Sequence, residues 1–198
     1  IPIYADVSKN TFLLNPNDVE KKINSKTKAI MPVHMYGNMC DMESIMKLAN
    51  IHNLFVLEDC AESLYASNDK GQKAGTIGHV GSWSFENSKH LSTGDGGIVA
   101  TDDEKLATIM RQFGGVGFKN ITAKTGKVRI SRTQFQDPKY ERHNMLAYNY
   151  RLPELCAAVG LAQCERLDFF VDLRETMGLA YLEIMNDSDL FLPQKTED

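Results

Sequence analysis

Long hydrophobic runs, paired metal-binding cysteines and a dominant charge sign are all missing from this 198-residue chain. No apolar stretch approaches the ~18 residues that a membrane-spanning helix needs, so no membrane partner is expected. Nor do the first residues show the charged, then apolar, then small-residue order of a leader. The four cysteines, Cys40, Cys60, Cys156 and Cys164, show no CxxC or comparable spacing. A chain of this size does not depend on disulfide staples; they read as reduced thiols, and a cytoplasmic location is expected. No His/Cys/Asp spacing suggests a metal. Lys and Arg number 22 against 26 Asp and Glu, a net charge of −4. That balance argues against a polyanion-binding surface over the whole chain, so no nucleic-acid partner is expected. Internal repeats and low-complexity tracts are absent as well. What the chain does have is 42% apolar residues, enough to exclude a wholly disordered polypeptide.

Its length fits one large domain. The chain opens on Ile1-Pro2-Ile3-Tyr4-Ala5, already strand-like, and stops at Thr196-Glu197-Asp198 with neither end capped. We expect an internal piece of a longer protein.

Short apolar runs alternate with amphipathic stretches over the first ~110 residues, the pattern of an α/β fold with a mostly parallel sheet. Ile1 to Val7 reads as a strand, and Asn15-Pro16-Asn17-Asp18 opens a short helix with proline in its first turn. Thr27 to Val33 is a second strand. Asp41 caps a helix whose Met42, Ile45, Met46 and Ala49 fall at i, i+3, i+4 and i+7. Leu54 to Leu57 reads as a strand buried on both faces. Val80 to Phe85 and Gly97 to Thr101 are two more strands, separated by a polar, Gly-rich segment. Asp102 caps another helix carrying Leu106, Ile109, Met110 and Phe113. From Gly114 to Tyr148 no period holds, and a loop this long is usually functional or an interface arm. Leu152 onward resumes a helical period over roughly 35 residues, either one long element or one broken near Asp168.

Ligands in open α/β sheets bind beyond the carboxyl ends of the strands. That rule selects His34, the pair Glu58-Asp59, and the segment Ser84 to Lys89. Asp59 follows the apolar run Leu54-Phe55-Val56-Leu57, so its carboxylate stands at a low-dielectric edge and needs a partner to stay ionised. An aspartate and a lysine in one crevice suit an aldehyde cofactor: the lysine amine condenses with the aldehyde while the carboxylate keeps a pyridine nitrogen protonated. By themselves the two residues fit a salt bridge, or two solvated loop positions, better.

The neighbouring motifs decide between these. Pro32-Val33-His34-Met35-Tyr36-Gly37 is followed by Asp41-Met42 and by Glu58-Asp59-Cys60-Ala61-Glu62. Gly81-Ser82-Trp83-Ser84-Phe85-Glu86-Asn87-Ser88-Lys89 and Gly94-Asp95-Gly96-Gly97 come next, then His143 and Asn149-Tyr150-Arg151-Leu152. In this order and spacing, from about Ile1 to Tyr181, the chain resembles the DegT/DnrJ/StrS-type sugar aminotransferases, pyridoxal-phosphate (PLP) enzymes of the aspartate aminotransferase fold, type I. The resemblance implies a three-layer large domain with a mostly parallel sheet. Residues 1–150 would form part of that PLP-binding domain, 151–187 a long helix leading to a small domain, and 188–198 the truncated start of the latter.

The resemblance also implies roles. Lys89 would bind the cofactor covalently and move the proton; Asp59 would pair with the pyridine nitrogen; Ser84 would hold the cofactor phosphate through a charge-assisted bond. Asn149 would reach the phosphate of a neighbouring subunit, giving a homodimer with shared sites, while Arg151 supports that turn. His34 would lie near the cofactor. The implied activity moves an amino group from glutamate to a keto-sugar attached to a nucleotide, for polysaccharide, lipopolysaccharide or antibiotic sugars. A PLP-dependent sugar dehydratase on the same scaffold, or a non-catalytic member, is the alternative. Some dehydrating relatives place histidine at the lysine position, whereas here Lys89 is retained and His90 follows it.

Three departures stand out. Glu62 occupies the place where the family usually has Gln, or His, against the cofactor's phenolic oxygen, and an ionised carboxylate cannot donate there. Ala147 replaces a glycine two residues before Asn149. The family's Gly- and Thr-containing phosphate loop has no counterpart among these residues. His52, His79 and His143 read as structural or solvated. Lys119, Lys124 and Lys127 read as a solvated loop, with a nucleotide-sugar phosphate as their alternative contact.

Overall fold

The computed structural model describes residues 1–126 and 130–186. It divides into two compact units, Ile1–Ala100 with Glu154–Asp198, and Thr101–Pro153. The first unit is built on a sheet of order β1-β2-β3-β4, comprising β1 (Ala29–Ile30), β2 (Phe55–Asp59), β3 (Val80–Ser84) and β4 (Gly97–Ala100). β1 and β2 pair in parallel, as do β2 and β3, while β4 runs antiparallel to β3. The fold is therefore α/β with a mixed, mostly parallel sheet. Asp59 lies in register with Ser82, and Ser84 with Gly97.

Helices pack on the sheet as their sequences dictate. α1 (Pro16–Lys22) starts where the Asn15 side chain accepts the Asn17 N–H, with Pro16 in the first turn. α2 (Met42–His52) is capped by Asp41, whose carboxylate accepts the Ser44 N–H, and ends at Asn53 in the left-handed region. Between those stops Met42, Ile45, Leu48 and Ala49 are buried against Ile30, Leu54 and Val56. Each large side chain sealed here contributes roughly 1.5–3 kcal/mol, and Ile45 and Val56 are fully covered.

Several elements are shorter or displaced relative to the sequence reading. Ile1 to Val7 is not a strand: only Val7 makes an isolated bridge, to Leu14, and Ile3 and Tyr4 are exposed. Its apolar residues have the strand pattern, but pairing needs a neighbouring strand, and among the described residues none is offered. The strand expected over Thr27 to Val33 shrinks to Ala29–Ile30. Pro32, which has no N–H to give to a ladder, interrupts it, and Val33 then bridges Asp59 in parallel. Along β2, inward and half-buried residues alternate, so the strand is not sealed on both faces.

In the second unit, α3 (Glu104–Gly114) is capped by Asp103, not Asp102; the Asp103 carboxylate accepts the N–H groups of Lys105 and Leu106. Its expected apolar face is partly exposed at Ile109 and Phe113. The buried residue on this helix is polar. Gln112 donates to the Ile121 carbonyl at 2.8 Å and accepts from Asn144 at 3.0 Å. The long irregular stretch contains one short helix, α4 (Arg132–Gln136).

The C-terminal helix is two elements, α5 (Glu154–Cys164) and α6 (Leu167–Asn186), and the break falls at Glu165–Arg166, just before Asp168. Their apolar periodicity is real but uncovered, since Leu155, Phe169 and Ile184 are all exposed. The expected start of a small domain at 188 lies outside the described residues. No helix among the described residues is long and apolar enough to cross a membrane.

Candidate functional site

The carboxyl ends of β2 and β3 bring most of the expected residues to one edge. Asp59 ends β2 and is half-buried. Its Oδ1 accepts the Ala61 N–H at 3.0 Å, and among the described residues no hydrogen bond engages Oδ2. Backbone bonds fix it from both sides: its N–H donates to the Pro32 carbonyl at 2.9 Å and its carbonyl accepts the His34 N–H at 2.9 Å.

Past Asp59 the chain turns, with the Ser63 N–H bonded to the Cys60 carbonyl. That turn aims Glu62 at Lys89. The Lys89 Nζ lies 3.6 Å from the Glu62 carboxylate, with side-chain exposures of 21% and 37%. The lysine is thus reachable but held beside a carboxylate only three residues beyond Asp59. Lys89 itself sits in a turn, its N–H bonded to the Glu86 carbonyl. Glu86 is tied down by Ser88, whose hydroxyl and N–H hold its carboxyl below the usual range. His90 is half-buried. Burial lowers its pKa, and the nearby Arg174 and Lys89 lower it further, so it favours the neutral form.

Ser84 closes β3. Its oxygen accepts the Glu86 N–H at 3.2 Å, and among the described residues nothing takes its proton, which leaves the hydroxyl available as a donor. Asn149 belongs to the second unit. Its backbone bridges Gly115, and its side-chain oxygen accepts the Arg151 Nε–H at 2.8 Å, so Arg151 braces this turn. Lys124 pairs with Glu104 and Lys119 lies over the Tyr140 ring; Lys127 lies outside the described residues.

His34 lies beside Asp59 with its ring turned inward. It is fully buried, and both ring nitrogens are spent on protein: Nδ1 accepts the Cys40 N–H at 3.0 Å, and Nε2 faces the Glu58 carboxylate at 2.9 Å. The Cys40 bond makes Nε2 the protonated nitrogen. Glu58 is equally sealed and also accepts the N–H groups of Gly75, Ile77 and Gly78. Burial alone would raise its pKa; the bonds from His34 and the three backbone N–H groups outweigh that and hold it below the usual range. Glu58, His34 and Cys60 have ligand-type atoms within 4.8 Å of one another. The arrangement is closed to a metal, however. Every acceptor direction on the carboxylate is filled, neither imidazole nitrogen has a free lone pair, and burial pushes the Cys60 thiol up to about 12, with Glu58 and Asp59 adding to it. Sequence reading placed Glu58 beside the site without a role. The signal was a glutamate closing an apolar strand, where a charge needs donors from elsewhere in the chain.

Asp59, Lys89 and Ser84 fit the donor set that PLP requires. A carboxylate with one open oxygen suits a ring nitrogen, a reachable amine suits an aldehyde, and a hydroxyl with an unspent proton suits a phosphate oxygen. Glu62 suits the amine better than it suits a phenolic oxygen.

Known proteins resemble this chain over most of its length. The chain is 39% identical to GDP-perosamine synthase of Escherichia coli O157:H7 over 185 residues, which is 93% of this chain and 46% of that enzyme. An aminotransferase structure from Psychrobacter cryohalolentis matches with a TM-score of 0.71 at 35% identity, covering 83% of this chain and 40% of that one. A GDP-4-keto-6-deoxymannose-3-dehydratase, solved with a trapped PLP-glutamate geminal diamine, matches with a TM-score of 0.82 at 27% identity over 97% of this chain and 50% of that one. The chain spans about half the length of the curated relatives it matches. The model of the DegT/DnrJ/EryC1/StrS aminotransferase family matches residues 1–198, and the chain belongs to that family.

Proposed function

We propose that the protein containing this chain is a PLP-dependent aminotransferase that moves an amino group from glutamate to a nucleotide-linked keto-sugar, for the synthesis of surface polysaccharide or related sugars. The observation that carries the reading is the Lys89 amine held at the Glu62 carboxylate, at the strand edge that Asp59 closes. The kinds of molecule involved are supported by the relatives, one named GDP-perosamine synthase and one a GDP-sugar enzyme with PLP and glutamate bound.

When bound, PLP supplies an electron sink conjugated with its ring nitrogen. Asp59 keeps that nitrogen protonated through its open oxygen. Lys89 would hold the cofactor through its aldehyde carbon and, as the free amine, would carry a proton from the donor's amine-bearing carbon to that aldehyde carbon. Glu62 stands next to Nζ and stabilises the ammonium whenever Lys89 carries the proton. Ser84 donates to the phosphate, whose further donors belong to other parts of the whole protein. Asn149 reaches the phosphate in a neighbouring subunit, making the protein a homodimer with shared sites. His34 lies below Asp59, its ring sealed from the open side. In this reading 1–150 belong to the large domain, 151–187 lead out of it, and 188–198 begin the small domain, in a cytoplasmic enzyme.

Borohydride reduction of the PLP-loaded protein tests this. One labelled peptide carrying Lys89 is expected, and none from Lys89→Ala; label on another lysine removes the assignment. Dehydration is the second reading, favoured by the likeness to a 3-dehydratase and opposed by the amine at position 89. Formation of an amino-sugar, as against loss of water from a keto-deoxysugar, separates the two.

A further inference from the structure

Glu58 has no part in the chemistry above, yet its surroundings are more completely organised than those of any residue that has one. A buried carboxylate is strongly disfavoured unless its acceptor sites are filled. Here they are filled by four N–H groups: His34 Nε2 at 2.9 Å, Gly75 at 2.8 Å, Ile77 at 2.8 Å, and Gly78. These donors come from two places, the segment that follows β1 and the turn over 75–78. Glu58 therefore joins three stretches of chain at one point.

What the junction holds is the next residue. In a strand, successive side chains point to opposite faces, so Glu58 faces inward while Asp59 faces the open side. His34 grips both: its ring meets the Glu58 carboxylate and its backbone N–H donates to the Asp59 carbonyl at 2.9 Å. The 75–78 turn is pressed against β3 at the same level. Gly75 has φ +85°, and a Cβ there would fall 2.1 Å from the Trp83 ring; one on Gly81 would fall 2.1 Å from the Gly75 carbonyl oxygen. Ser82, between Gly81 and Trp83, is the register partner of Asp59 and accepts the Cys60 N–H at its carbonyl. Stability alone does not account for such a junction, because a well-packed apolar replacement of a buried ion pair is often as stable. Directional bonds do something apolar packing does not: they fix the height and twist of one strand end.

We propose that Glu58 and His34 form a buried positioning pair whose function is to set the Asp59 carboxylate against the pyridine nitrogen. They touch neither cofactor nor substrate. The proposal rests on the reading of Asp59 given above and adds residues whose effect must pass through it.

The test uses the full-length protein loaded with PLP carrying ¹⁵N in its ring, read by the ring-nitrogen resonance and by PLP affinity. Asp59→Asn serves as the control and should move the resonance to that of an unprotonated ring. If it does not, the reading of Asp59 fails before Glu58 is considered. With the control positive, Glu58→Gln and His34→Leu should shift the resonance in the same direction and weaken PLP binding roughly 100-fold, since small misplacements at a site carry large penalties. His34→Gln, whose amide can still donate to Glu58, should restore the parent resonance. Should Glu58→Gln fail to fold, His34→Leu keeps the three backbone bonds to Glu58 and carries the test. Folded variants with the parent resonance and affinity overturn the proposal, as does a resonance that His34→Gln fails to restore.

Discussion

The floor and the rim of the candidate site share a strand but treat charge in opposite ways. On the floor, Glu58 spends its acceptor sites on four N–H groups and is sealed from water. On the rim, Asp59 keeps an oxygen without a partner among the described residues, Lys89 remains reachable beside Glu62, and Ser84 keeps a proton to give. Two adjacent carboxylates thus differ not in chemistry but in which side of the pleat they occupy. Saturated groups carry structure; unsaturated ones are left for a ligand.

If that division is real, substitutions on the two levels should fail in different ways. The largest effect belongs to the rim. Lys89→Ala should lower turnover by roughly 10³-fold or more, the scale of a lost proton-transfer group. Its urea midpoint should barely move, because a partly exposed ion pair is worth about 0–1 kcal/mol. A large loss of stability in that variant would erase the distinction. On the floor, Glu58→Ala strands buried donors and should cost roughly 3–5 kcal/mol of folding free energy, measurable by chemical denaturation whether or not cofactor is present.

Acid should sharpen the contrast more gently. The folded Glu58 carboxyl lies below its ordinary pKa, so its stabilisation is full above the unfolded value and drains as pH falls through the lower folded one. Urea midpoints measured downward from neutral pH should decline, and a Glu58→Gln protein that still folds should show a shallower decline. An unchanged slope would mean that other groups dominate acid unfolding. The mildest probe is alkylation. With its thiol pushed up to about 12 and buried, Cys60 should resist iodoacetamide at pH 8 long after the exposed Cys164 has reacted, as peptide mass analysis would show. Equal rates would mean that the floor opens readily.

Local signals in the sequence were reliable where the element decides its own form. Asp41 with Met42, Ile45 and Ala49 gives a cap and an inward face, and the structure has both. The strands around Val56 and Val80, and the polar stretch between Ser84 and Gly97, also follow from local pattern. The failures depend on distant partners. Ile1 to Val7 has strand composition without a strand beside it, and Asp102 and Asp103 are indistinguishable as caps until the backbone bends. The periodicity of α5 and α6 shows which residues share a face but not what covers that face. Rim residues could be named from the sequence because the resemblance rests on chemistry-bearing motifs; the structure brings Lys89 beside Glu62. The floor could not be, because His34 and the 75–78 turn meet Glu58 only after folding, from positions 24 and 17–20 residues away in the chain.

The chain's single tryptophan sits where these levels meet, its ring against Gly75 and its neighbour Ser84 at the rim. An indole so placed is a built-in optical gauge. A conjugated pyridine arriving at this edge would absorb in the range where the indole emits, and cofactor occupancy would be read as quenched fluorescence without any added label.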